Sequence, residues 1–116
     1  MKSILASLVS AFCAVGALAQ DLPTVSATAH LKETSTVVGV VAQVSEKKGN
    51  VFINFDRPFP KHSFTAFVPQ PKFAAAGDVP YLLSLQGKMV AVNGKIVDYN
   101  SCPEIVVASA DQIFVR

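Results

Sequence analysis

Two short runs set the hydrophobic pattern of this chain. Val51–Asp56 and Ser63–Val68 alternate apolar and polar side chains on either side of Arg57-Pro58-Phe59-Pro60-Lys61-His62. Strand side chains alternate with period two, so Val51, Ile53 and Phe55 share one face while Phe52, Asn54 and Asp56 share the other. In the second run Phe64, Ala66 and Val68 point inward, leaving Thr65 and Phe67 outside. One face fills a core. The other carries two aromatic rings among polar neighbours, and function is to be sought there.

The pattern before these runs is also β. Val37 to Ser45 places five valines around Gly39, and a Gly inside such a run predicts a bulge or sharp bend. Glu46-Lys47-Lys48-Gly49-Asn50 supplies a tight hairpin turn. Upstream, Ser26 is a candidate N-cap for one or two helical turns over Ala27–Leu31. Downstream, the prolines of the hexapeptide exclude a central strand and mark a connection. Pro69 and Pro71 end the next strand. Phe73–Ala76 and Tyr81–Leu85 then read as short helical pieces broken by Gly77 and Pro80. Lys88–Tyr99 is predicted as one long strand curved by a bulge at Gly94, since the arms flanking Asn93-Gly94 are short for a hairpin. Asn100–Pro103 is a turn and Glu104–Ala108 the last full strand, with Ile113 and Val115 capping the end.

The first residues are patterned differently. Lys2 precedes an apolar run from Ile4 to Leu18, and Ala17-Leu18-Ala19 offers small residues for cleavage, so residues 1–19 read as a secretory signal peptide. A membrane anchor needs about 20 apolar residues, which this run lacks. Bulky Phe12 before Cys13 and the short preceding run argue against a lipoprotein signal. The domain is therefore placed at 20–116, a single unit, secreted or periplasmic. With Lys2 removed, the net charge of +2 falls to +1. That balance does not announce a nucleic-acid binder, so any such role rests on local placement of charge. Cys102 is the one cysteine left, which excludes an internal disulfide or a cysteine-paired zinc site. A tolerated surface position is the simplest reading of it.

Three meandering strands, a helical insert and two more strands form the order of an all-β, five-stranded Greek-key barrel with a short helix, the OB-fold. Gly39-Val40-Val41, Val51–Phe55, Pro58-Phe59-Pro60, Phe64–Phe67, Leu85–Ile96, Tyr99 and Pro103–Val107 together resemble the bacterial OB-fold proteins grouped with nucleic-acid-binding OB domains. The resemblance spans nearly all of 20–116 and implies a secreted, non-enzymatic binding module. It departs from that pattern at Cys102, where Gly or a polar residue is common, and at Lys32, where Gly is frequent.

OB barrels grip single strands with aromatic side chains that stack bases and cations that meet phosphates. On that basis the candidate nucleic-acid-binding residues are Lys47, Lys48, Phe52, Asn54, Arg57, Lys61, Phe67 and Tyr99. The competing reading packs Phe52 and Phe67 against the insert or the lead-in and leaves the lysines as solvated turn charges. Catalysis finds no support: no Ser/His/Asp elbow or Gly-rich phosphate loop is present, and Cys102 has no patterned base. A nuclease needs clustered carboxylates and paired arginines, whereas Arg57 and Arg116 stand alone. His30 lies in the lead-in, packed against the barrel's end, and His62 on the connection is read as solvated. Neither has partners at ligand spacing, so no metal or cofactor is expected. The candidate partners are single-stranded nucleic acid or a similar anionic polymer. The alternative is a protein-interaction or structural module of the envelope, with no membrane span after signal cleavage.

Overall fold

The computed structural model of the chain describes residues 21–70 and 78–116. The signal peptide read at 1–19 and the helical piece read at Phe73–Ala76 lie outside them. Seven strands follow in order: β1 (Asp21–Pro23), β2 (Thr34–Lys47), β3 (Asn50–Phe55), β4 (Phe64–Val68), β5 (Met89–Tyr99), β6 (Cys102–Val106) and β7 (Ile113–Val115). A helix α1 (Val79–Leu83) and two 3-10 segments, Thr24–His30 and Ala110–Gln112, complete the described elements.

β2 is long enough to serve two partners. Its first half, Thr34–Val40, pairs antiparallel with β5, and its second half pairs with β3. β3 pairs with β4, β4 runs parallel to β6, and β6 runs antiparallel to β5. These pairings close β2, β3, β4, β6 and β5 into a ring, the Greek-key OB barrel that the strand order predicts. β1 and β7 extend the sheet outside the ring, on β2 and β5 respectively.

The inward face follows the alternation. Val44, Ile53, Ala66 and Ile105 lie side by side across four strands, and all are buried. Phe55 and Phe64 pair across β3 and β4 and meet edge to face, ring centroids 5.3 Å apart. Truncating either ring would cost about 3–5 kcal/mol, since the cavity adds to the lost transfer energy.

Several local expectations are corrected. Gly39 holds regular register opposite Val90, and the bulge sits between Val41 and Gln43, where β2 passes from β5 to β3. There the Gln86 side chain accepts from the Val44 amide at 2.8 Å, and the Gly87 amide donates to the Val41 carbonyl. Gly39 answers instead to crowding: a Cβ on it would stand 2.5 Å from Thr24 Cγ2. Gly94 likewise keeps register, opposite Ser35, and a Cβ there would stand 2.6 Å from Ile105 Cγ2. β5 is one continuous strand, as expected.

The lead-in forms a 3-10 helix, Thr24–His30, that starts after Pro23 rather than an α-helix capped by Ser26. It is fastened through the Thr24 hydroxyl, which donates to the Asp56 carboxylate at 2.5 Å. Ser63 donates to the same carboxylate oxygen, so Asp56 joins the lead-in to both ends of the β3–β4 connection. Pro80 does not break its helix. It sits in the first turn of α1, where a missing N–H costs nothing, and Asp78 caps that turn by accepting from the Tyr81 amide at 3.1 Å. The last full strand begins at Cys102 rather than Glu104, because Asn100 and Ser101, both at positive φ, complete the turn alone.

Candidate functional site

On the outer side of the barrel, register sorts β2, β3, β4 and β6 into two adjacent rows. One runs Ser45, Phe52, Phe67, Val106; the next runs Gln43, Asn54, Thr65, Glu104. The first row is mostly apolar, the second wholly polar. Further along the same face Tyr99 pairs with Cys102 across β5 and β6.

The polar row is wired along its length. Thr65 Oγ1 donates to Asn54 Oδ1 at 3.0 Å, and Asn54 Nδ2 donates to Gln43 Oε1 at 3.0 Å. Gln43 Oε1 also accepts from the Phe59 amide at 2.9 Å, which draws the β3–β4 connection over the sheet. Asn54 and Thr65 are only 4% and 5% exposed. Asn54 is thus not the exposed side chain its strand position suggested: it faces outward but lies in the floor, held by its neighbours.

Above this floor opens a groove of about 990 Å³. Phe52 rises beside it from β3, Phe59 and His62 wall it from the β3–β4 connection, and Tyr99 stands at the β5–β6 turn. Phe59 and Tyr99 are 70% and 58% exposed, so both rings are free to meet a ligand. Lys47 is the one lysine or arginine in the lining and Glu104 the one carboxylate, among the described residues.

Of the eight candidates, the structure therefore brings Lys47, Phe52, Asn54 and Tyr99 together. Phe67 packs against Phe52 and supports it from β4 without lining the groove. Lys48 occupies the β2–β3 turn, and Arg57 and Lys61 lie exposed on the connection, all outside the lining. Their position suits flanking charges at opposite ends of β3, about 17–20 Å apart for a strand of this length.

The sequence reading missed Gln43, Thr65, His62, Cys102 and Glu104. Cross-strand register, which alternation alone does not fix, places Gln43, Thr65, Cys102 and Glu104 here, and the β3–β4 connection brings His62 to them. Cys102 is half-buried in the groove rather than a free surface thiol. Burial raises its pKa; the Thr65 hydroxyl beside it acts against that, and the charges of Glu104 and Asp98 add to it. It rests as a thiol, which is a poor nucleophile. His62 is not simply solvated: its Nδ1 is buried without a hydrogen-bond partner, and burial lowers its pKa. The imidazole is neutral at physiological pH and presents a ring beside Phe59, 5.6 Å between centroids. His30, on the opposite account, pairs with Glu33 at 2.9 Å. Among the described residues no group of three or more His, Cys, Asp or Glu is placed to hold a metal ion, and no helix is long and apolar enough to cross a membrane.

No family model and no curated relative matches the sequence. The backbone is similar to solved structures. The crystal structure assigned as an aspartyl-tRNA synthetase from Leishmania major Friedlin matches with a TM-score of 0.55 and 12% identity, over 83% of this chain and 20% of that one. The aspartyl-tRNA synthetase from Entamoeba histolytica gives 0.48 and 19%, over 75% and 19%. The OBody AM1L10 bound to hen egg-white lysozyme gives 0.49 and 12%, over 76% and 83%. This chain spans about a fifth of the length of the synthetases. The likeness to the Leishmania structure is one of fold, an OB-type barrel.

Proposed function

We propose that this protein is a non-enzymatic binding module that takes single-stranded nucleic acid into the groove over β3 and β4, acting outside the cytoplasm as a secreted or periplasmic protein. The observation that carries the reading is the groove itself. It combines rings at its edges, Phe52, Phe59 and Tyr99, with a floor of fixed amide and hydroxyl groups. Stacked bases need exposed aromatic faces, and each such contact contributes roughly 1–3 kcal/mol. Lys47 at the rim, with Lys48, Arg57 and Lys61 on the flanking loops, supplies the charge that a phosphate backbone requires. Catalysis has no equivalent support, since the groove's thiol is held protonated and its one carboxylate is not paired with a second.

A protein partner in the envelope is the second reading. It is favoured by exposed Val106 at the end of the apolar row and by the single lysine of the lining.

Amide shift mapping decides between them. Adding a short single-stranded oligonucleotide to the isotope-labelled protein should move the amides of Gln43–Ser45, Phe52–Asn54, Thr65–Phe67 and Tyr99–Glu104. Shifts confined to Lys48 and the chain ends would mean charge attraction without a site, and would reject the proposal.

A further inference from the structure

The floor of the groove ends in a group that the rest of the site does not use. Glu104 is 8% exposed and lies opposite Thr65 in the parallel β4–β6 register. Among the described residues its carboxylate has no hydrogen bond or salt bridge, although Asn54, Thr65 and Gln43 beside it are all engaged. The residue is largely buried but its oxygens are not sealed from solvent, so the carboxylate loses part of its hydration at a cost. Here burial raises its pKa, which reflects that cost. Its place in the groove lining opens the carboxylate to the donors of a bound ligand, in exchange for solvent.

Resting on the nucleic-acid reading above, we infer that Glu104 makes the site base-selective, accepting hydrogen bonds from the edge of a guanine stacked in the groove. The chemistry narrows the choice. An ionised carboxylate only accepts, and it accepts two bonds in parallel. Guanine offers its ring N1–H and its N2 amino group side by side, which matches that pair. Thymine offers one N–H between two carbonyl oxygens, and those oxygens would face the carboxylate unfavourably. Unstacked bases in single strands are read on this edge. Tyr99 and Phe52 in the same lining supply ring faces, and Lys47, also in the lining, supplies a cation for the backbone.

The test uses labelled oligothymidylates identical but for one central base, titrated into the purified protein. The variants carry dG, deoxyinosine or dT at that position, and deoxyinosine lacks only the amino group. A well-placed pair of contacts discriminates by roughly 5- to 100-fold, so dG should bind at least 5-fold tighter than dT, with deoxyinosine between. Glu104→Gln, which keeps the shape of the side chain, should bring dG and dT within about 2-fold of each other while the dT oligomer still binds. Equal affinity of dG and dT for the wild-type protein would overturn the role of Glu104 and leave the binding reading standing. So would a dG preference that survives Glu104→Gln. Failure of every oligomer to bind would overturn the binding reading itself, and this inference with it.

Discussion

The rings of Phe52 and Phe67 lie against each other across β3 and β4, centroids 5.0 Å apart and planes tilted by 41°. The two residues are directly opposed in register, so they form one unit rather than two separate base-stacking positions. Phe52 is the member that lines the groove, and Phe67 holds it in place. Phe52→Ala should therefore weaken oligonucleotide binding by roughly 5- to 100-fold, the value of one stacked base. Both rings are half-buried, so the loss of fold stability should stay near 1–2 kcal/mol. Phe67→Ala should cost a similar stability with a smaller loss of binding. Denaturant unfolding beside a binding titration separates the two effects.

Lys32 holds a left-handed backbone conformation that suits Gly better than Lys. Its φ is +74°, fixed by an amide that donates to the Ile96 carbonyl at 2.6 Å. An L side chain in this conformation costs roughly 1–2 kcal/mol, part of which Gly returns through its looser unfolded chain. Lys32→Gly should stabilise the protein by about 0.5–1 kcal/mol, read as a higher denaturation midpoint. A lower midpoint would mean that the lysine stem has a packing role.

Gly39 and Thr24 should be coupled. A Cβ at Gly39 would stand 2.5 Å from Thr24 Cγ2 and 3.2 Å from Phe55 Cδ2. Gly39→Ala should cost about 1–3 kcal/mol by overpacking. Thr24→Ser removes the crowding methyl but keeps the hydroxyl that bonds Asp56. Adding it to Gly39→Ala should recover part of the loss, and a double-mutant cycle measures the coupling. Purely additive losses would contradict the close approach.

Much of this was legible in the chain. The inward faces of β3 and β4, the continuity of β5 through Asn93-Gly94 and the barrel order all follow from alternation and turn residues. The site was legible only in part. Phe52 and Tyr99 could be picked by residue type, but Gln43, Thr65 and Glu104 become one row only through pairings across 11 to 39 residues of sequence, which periodicity does not specify. A strand Gly has two common causes, a bend or bulge and a close neighbour; the sequence suggests the first for Gly39 and Gly94, because the neighbours Thr24 and Ile105 are visible only in the fold.

Glu104 should leave a signature in the pH dependence of stability. Burial raises its pKa in the native protein above the ordinary Glu range, so the native state holds the proton more tightly than the unfolded chain. This contribution is complete below the ordinary Glu range and is lost as pH rises through the native value. Glu104→Gln should thus be more stable than wild type at neutral pH, with the difference shrinking as the pH is lowered. A constant difference across that window would contradict a raised value for Glu104.

The most direct measurement is the fluorescence anisotropy of a labelled single-stranded oligonucleotide titrated with the purified protein and with Phe52→Ala, each at two salt concentrations. Binding should occur at low salt and weaken as salt rises, with a log–log slope between about −0.7 and −3 for one to four phosphate contacts. It should fall with Phe52→Ala at both salts. No binding of the wild-type protein at low salt, or equal binding by Phe52→Ala, would contradict a nucleic-acid groove built on β3 and β4.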